Sequence, residues 1–168
     1  LILAHPEYHM DDRLLLDKID FEKGTVRIGD KEYEMLDSDF PTVDPKDPYR
    51  LTAEEEQVVE RLRHAFVHCE KLQKHVRFLF AKGSMYKIYN SNLLYHGCVP
   101  MDEDGNFEQI NVYGKLCSGK KLYEVLETYA RKGYYSQDKE ERRKGRDTLW
   151  YIWAGPKSPV FGKDKMAT

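Results

Sequence analysis

Histidine is the residue type here best suited to neutral-pH chemistry, because its imidazole either moves protons or binds metal. One of the six histidines stands in a distinctive setting: the segment NLLYHGCVP over 92–100. There a short apolar run ends on His96, and Gly97 and Pro100 turn the chain. An imidazole at a strand end followed by a glycine turn can deliver a metal ligand to a sheet edge; it equally suits a hydrogen-bonded core histidine. Cys98, two residues on, is a candidate thiol nucleophile or a small apolar packing residue. His64, His68 and His75 return to nearly one angle of a helix. They read as a metal pair or as a half-buried row at a packing boundary, and Ala65 leaves no HExxH acid beside them. His5 and His9 are separated by Pro6, which pushes His5 out of the helical region and speaks for a surface loop. A last group, Lys157, Ser158, Lys163 and Lys165, gathers cations and a hydroxyl around Gly162. Arg77 and Lys82 lie further off. Such lysines suit an anionic ligand or are simply solvated.

The elements that must hold these groups follow from pattern. Val26, Ile28, Tyr33 and Met35 alternate around Gly29-Asp30, predicting a hairpin over 25–36. Prolines 41, 45 and 48 then make 37–49 an extended crossing. Thr52 and Glu55 form a capping box that opens a helix over 52–82, closed by Gly83. Its apolar stripe includes Val58, Leu62, Phe66, Val76 and Leu79. Two short strands meet at Asn90-Ser91-Asn92, and another precedes a turn at Tyr113-Gly114. The acidic MDEDG at 101–105 lacks the spacing of a calcium loop and reads as a turn. A second helix over 120–135 carries Leu122, Val125, Leu126 and Tyr129 on one face. The mixed-charge run 137–147 reads as a solvated face or mobile loop, and the aromatic 149–153 ends at Gly155-Pro156.

The 168 residues suffice for one domain with a true core, and 40% hydrophobic against 33% charged residues excludes a disordered chain. With 27 basic and 29 acidic side chains, a net charge of −2 offers no basic field for nucleic acid. No apolar run is long enough to span a bilayer. Three scattered cysteines without a CxxC pair argue against a disulfide framework and for a reducing, cytoplasmic setting. The fold class is therefore α/β, an α+β mixture with one long helix and several short hairpins. The chain begins without Met and stops in mid-sequence, so the expectation is a single incomplete domain over 1–168. Residues 1–50 would form the hairpin and crossing, and 51–168 the helix, the His-bearing strands and a helical C-terminal part.

His96-Gly97, followed about fifty residues later by Asp147-Thr148-Leu149-Trp150, resembles the middle of the calcineurin-like metallophosphoesterases. The resemblance is closer still to the class III fructose-1,6-bisphosphatases. It is carried by HMDDRLLLDKID (9–20), DFPTVDPKDPY (39–49), HVRFLFAKGSMY (75–86), NLLYHGCVP and WYIWAGPKSPVFGKDKMAT (150–168). It implies part of an αββα sandwich and hydrolysis of the 1-phosphate of fructose 1,6-bisphosphate in gluconeogenesis. It also implies a dinuclear divalent centre, expected to be Mn²⁺, that neutralises the phosphoryl oxygens. His96 matches a metal-ligating histidine, and Lys157, Ser158, Lys163 and Lys165 would meet substrate. The superfamily's D-x-H, GDxxDR and GNH segments are absent from the chain. One ligand is thus expected here, and the segment by itself is expected to be inactive. Two alternatives stand beside this: a non-catalytic insert mediating homo-oligomerisation or regulation, and a protein phosphatase of the same superfamily.

Overall fold

The computed structural model describes residues 1–163. It is an α/β mixture, as expected, and it divides into two compact units. One comprises residues 12–79; the other joins 1–11 to 80–163.

In the unit of residues 12–79, strands β1 (Ile19–Asp20), β2 (Thr25–Ile28) and β3 (Lys31–Glu34) form an antiparallel sheet in that order. The predicted hairpin is present, with Val26 opposite Tyr33 and Ile28 opposite Lys31. Gly29 turns it at φ +61°, a conformation most side chains resist. Residues 11–19 hold two 3₁₀ turns, Asp11–Arg13 and Leu16–Lys18. The proline-rich crossing is tied down at two points. Tyr49 donates to Asp17 at 2.8 Å, and Thr42 donates to Glu55 at 2.7 Å.

The long helix expected over 52–82 is two helices, α1 (Ala53–His68) and α2 (Glu70–Lys82), parted at an extended Cys69 with ψ 102°. The capping box is real. Thr52 accepts from the Glu55 amide while the Glu55 carboxylate accepts from the Thr52 amide at 2.8 Å. The break uses neither glycine nor proline. Two side chains reach carbonyls near the end of α1 instead. His68 Nδ1 donates to the His64 carbonyl at 2.8 Å, and Gln73 donates to the Val67 carbonyl at 3.2 Å. Neither helix contains a buried residue; of the apolar stripe Val58, Leu62, Phe66 and Leu79 are exposed and Val76 is half-buried.

The second unit contains the hairpins β4 (Tyr86–Tyr89) with β5 (Asn92–Tyr95) and β6 (Ile110–Val112) with β7 (Lys115–Cys117), then α3 (Gly119–Tyr135) and α4 (Lys139–Ala154). Each hairpin turns through two residues of positive φ: Asn90 (47°) with Ser91 (63°), and Tyr113 (49°) with Gly114 (83°). Such pairs match the right-handed twist of the flanking strands. Leu122, Val125 and Leu126 of α3 pack on Val112 and Cys117 to form the core. The charged run 137–147 is a solvated face and not a mobile loop, for most of it forms the front of α4. Asp138 caps that helix by accepting from the Glu141 amide at 2.8 Å, and Glu140–Arg143 pairs at 2.8 Å along it. Helices α3 and α4 meet backbone to backbone at Gly133 and Gly145. A Cβ on Gly145 would stand 2.1 Å from the Gly133 nitrogen. Within this unit Arg131 of α3 donates to the carbonyls of Phe80 and, at 2.7 Å, of Gly83.

No sheet among the described residues has more than three strands. An αββα sandwich is therefore not formed by these residues alone.

Candidate functional site

His96 follows β5 directly, but that strand is not buried. Leu93, Leu94 and Tyr95 are 54%, 54% and 47% exposed, and His96 is itself at the surface. Its turn is nonetheless held rigidly. Gly97 sits at φ +85°, and a Cβ there would stand 2.2 Å from the Pro159 carbonyl oxygen. The Cys98 amide donates to that same oxygen at 2.9 Å. From the other side Tyr123, buried on α3, donates to the Cys98 carbonyl at 2.7 Å. Burial, with Cys98 and Tyr95 nearby, pushes the Tyr123 phenol up to about 12. It therefore stays a neutral donor throughout the physiological range.

The partner loop is the one that carries the candidate phosphate ligands, so the structure brings 96–98 and 157–163 together. The members of that loop differ in what they offer. Lys157 is exposed and reaches Glu108 at 2.5 Å. Lys163 is exposed, and Lys165 lies outside the described residues. Ser158 is wholly buried. Its hydroxyl donates to the Ile152 carbonyl at 2.6 Å and accepts from the Val160 and Phe161 amides at 3.2 and 3.3 Å. With its lone pairs and proton committed to backbone, Ser158 shapes the loop and presents no group to solvent.

The other histidines fare differently. His64 and His68 stack at 3.9 Å and His75 is exposed, so the row is a surface feature and not a half-buried boundary. His5 and His9 do not form a pair. His5 Nδ1 lies 2.9 Å from Glu7, while His9, at φ 51°, closes a 3₁₀ turn over Pro6–Tyr8. Among the described residues, no group of three or more His, Cys, Asp and Glu side chains is placed to hold a metal. The donor set of a dinuclear centre is thus not assembled by these residues. Cys98 makes no disulfide, and its half-buried position beside the Pro159 turn fits packing.

Sequence reasoning missed a polar cluster that ties the first residues to α4. Asp147 is 7% exposed, and its Oδ2 accepts from the Tyr8 hydroxyl at 2.9 Å and from Arg143 at 3.0 Å. His5 stacks on Tyr8 at 4.9 Å and places Nε2 4.0 Å from the same oxygen. Burial, then Tyr113 and Asp147 beside it, push the Tyr8 phenol far above its usual range. Arg143 and Asp147 at i, i+4 were a legible signal. Tyr8, 139 residues away, was not.

The described residues form an α/β chain in which the His96-Gly97 turn lies against the loop of residues 157–163. All 168 residues match the family described as Firmicute fructose-1,6-bisphosphatase, and the chain belongs to that family. The chain is 51% identical over 169 residues to the class 3 fructose-1,6-bisphosphatase of Clostridium botulinum (strain Alaska E43 / Type E3), covering 100% of this chain and 26% of that protein. The protein of the same description from Clostridium novyi (strain NT) is 50% identical, with 100% and 25% covered. That from Alkaliphilus metalliredigens (strain QYMF) is 49% identical, with 100% and 26% covered. The chain thus spans about a quarter of the length of the curated relatives it matches. No solved structure matches it.

Proposed function

We propose that this chain is a portion of a fructose-1,6-bisphosphate 1-phosphatase, a phosphomonoester hydrolase of gluconeogenesis acting in the cytoplasm. The observation that carries the reading is the contact of the Gly97 turn with the Pro159 carbonyl, in a chain whose whole length matches the family. That contact sets a metal-ligating residue type on one side of a tight junction and lysines on the other. In this reading His96 supplies one imidazole to a Mn²⁺ centre whose other ligands lie beyond the described residues. Lys163 and Lys165 contribute positive charge toward phosphate, Lys157 is held by Glu108 beside them, and Ser158 fixes the loop that carries them. A neutral imidazole suits Mn²⁺ among harder carboxylates. A single imidazole does not hold the ion, so no catalytic step is assigned to these residues alone.

The test measures phosphate release from fructose 1,6-bisphosphate with added Mn²⁺. The chain by itself is expected to give none, and robust turnover would overturn its role as a portion. In a polypeptide of the relatives' length carrying this sequence, His96→Ala is expected to lower both metal content and turnover. Unchanged values of both would remove His96 from the centre.

A second reading, self-association or regulation through α1 and α2, is favoured by their exposed apolar residues: Val58, Leu62, Phe66, Phe78 and Leu79. The protein-phosphatase alternative has lost its support, because the whole chain matches the fructose-bisphosphatase family. No helix among the described residues is long and apolar enough to cross a membrane. The near-balance of charge gives no support to a nucleic-acid partner.

A further inference from the structure

The unit that carries His96 also holds a cavity of about 660 Å³, a size typical of small-molecule sites. Its polar wall is unusual in one respect: the hydroxyl protons all point into the protein. Tyr8 donates to Asp147 at 2.9 Å, Tyr113 donates to the Lys144 carbonyl at 2.9 Å, and Thr148 donates to that carbonyl at 2.8 Å. Gln109 likewise gives one of its amide protons to Ser118 at 3.1 Å. Oxygen lone pairs are left to meet a ligand. Asp147 adds another acceptor, since its recorded bonds fall on Oδ2 and no described residue donates to Oδ1. A wall of acceptors selects a molecule rich in donors.

Charge narrows the class further. The Asp147 carboxylate is already met by the Arg143 guanidinium at 3.0 Å, and a second cation brought beside it would be repelled. An anion is disfavoured as well. Lys157, the lysine on the wall, is paired with Glu108 at 2.5 Å, and Glu7 and Asp147 line the same space. What remains is an uncharged molecule with several hydroxyl groups. The apolar parts of the wall, Ile110, Val112 and the tyrosine rings, suit its C–H faces.

We propose that this cavity binds an unphosphorylated polyhydroxyl ligand of the hexose class, with Asp147 and Thr148 accepting from its hydroxyls and Tyr8 and Tyr113 flanking it. The site is separate from the His96 turn, and the proposal does not rest on the phosphatase reading.

The test titrates the chain with D-glucose and with D-fructose, followed by amide NMR shifts, with inorganic phosphate and fructose 1,6-bisphosphate as contrasts. Saturable shifts are expected at residues 8, 109–113 and 147–148 with the free hexoses, and none there with phosphate. Asp147→Asn is expected to weaken the binding roughly tenfold, the scale of losing a charged hydrogen-bond partner. Because Asp147 also holds Tyr8, Gln109→Ala at an exposed position provides a variant that spares the interior, with a loss of roughly threefold. Absence of saturable shifts with both hexoses would overturn the proposal. So would equal or tighter binding of the phosphorylated sugar at the same residues, or hexose binding unaffected by both substitutions.

Discussion

Helices α1 and α3 read alike in sequence, each with apolar residues at three- and four-residue steps. In α3 those positions are inside: Leu122, Val125 and Leu126 are 1%, 8% and 2% exposed. In α1 the corresponding stripe is outside, with Val58, Leu62 and Phe66 at 44%, 54% and 63%. Periodicity therefore identifies a face, while the partner for that face comes from elsewhere in the chain. Helix α3 has one because α4 approaches it at Gly133 and Gly145, where the missing side chains admit backbone contact. Helix α1 holds itself together by local means: a capping box at its start and the Glu60–Arg63 pair at 2.6 Å. Such local devices are worth tenths to about one kcal/mol each, against several for a buried leucine.

The contrast can be broken most forcefully at Leu122. Leu122→Ala leaves a cavity in the core and is expected to cost roughly 3–4 kcal/mol in urea unfolding. Next comes Gly145→Ala, where the added methyl meets Gly133 backbone and not a movable side-chain tip. Its expected cost is about 3 kcal/mol, with the α3–α4 contact itself displaced.

The clamp on residues 80–85 sits between the two extremes. Glu127 accepts from Ser84 at 2.7 Å and from the Met85 amide at 3.0 Å while pairing with Arg131 at 2.8 Å. Burial alone would raise its carboxyl, but those donors outweigh burial and hold it below the usual carboxylate value. A carboxyl depressed in the folded state contributes stability that is fully present above the unfolded pKa, near 4.3, and lost as pH falls through the folded value. Glu127→Gln is thus expected to cost about 1.5 kcal/mol at pH 7 and progressively less toward pH 3, measured by urea unfolding across pH.

The legible parts of the fold were those whose signal is local. The 25–36 hairpin, the Thr52 capping box, the turn at Tyr113-Gly114 and the apolar face of α3 are each written within a few neighbouring residues. The break at Cys69 was not legible, because neither glycine nor proline marks it and the His68 and Gln73 side chains that reach carbonyls beside it carry no sequence signal of a break. The charged run 137–147 was half legible, for it is a solvated face but on a helix and not a mobile loop. Its Glu and Arg residues are good helix formers at pairing distance, while the Gly133 partner of its Gly145 lies outside the run. The candidate site divides the same way. His96-Gly97 stood out by residue type, whereas its junction with Pro159 and the Tyr8–Asp147 bond join positions far apart in the chain. The inward-facing Ser158 could not be told from a solvent-facing hydroxyl by sequence.

Thr52→Ala is expected to cost about 1 kcal/mol and to show as lost helicity in α1, since it leaves the Glu55 amide without its acceptor. That change should exceed the effect of deleting an apolar side chain from the same helix. Leu62→Ala removes a residue 54% exposed and is expected to shift stability by less than about 0.5 kcal/mol. The pair of substitutions inverts the order found in α3, where the interior outweighs every local device. It also tests whether α1 is uncovered in solution. If Leu62→Ala cost 2 kcal/mol or more, and the cost grew with protein concentration, the leucine would be buried between associating copies. The exposed stripe would then be an interface, and α1 would belong with α3 as a helix stabilised by what covers it.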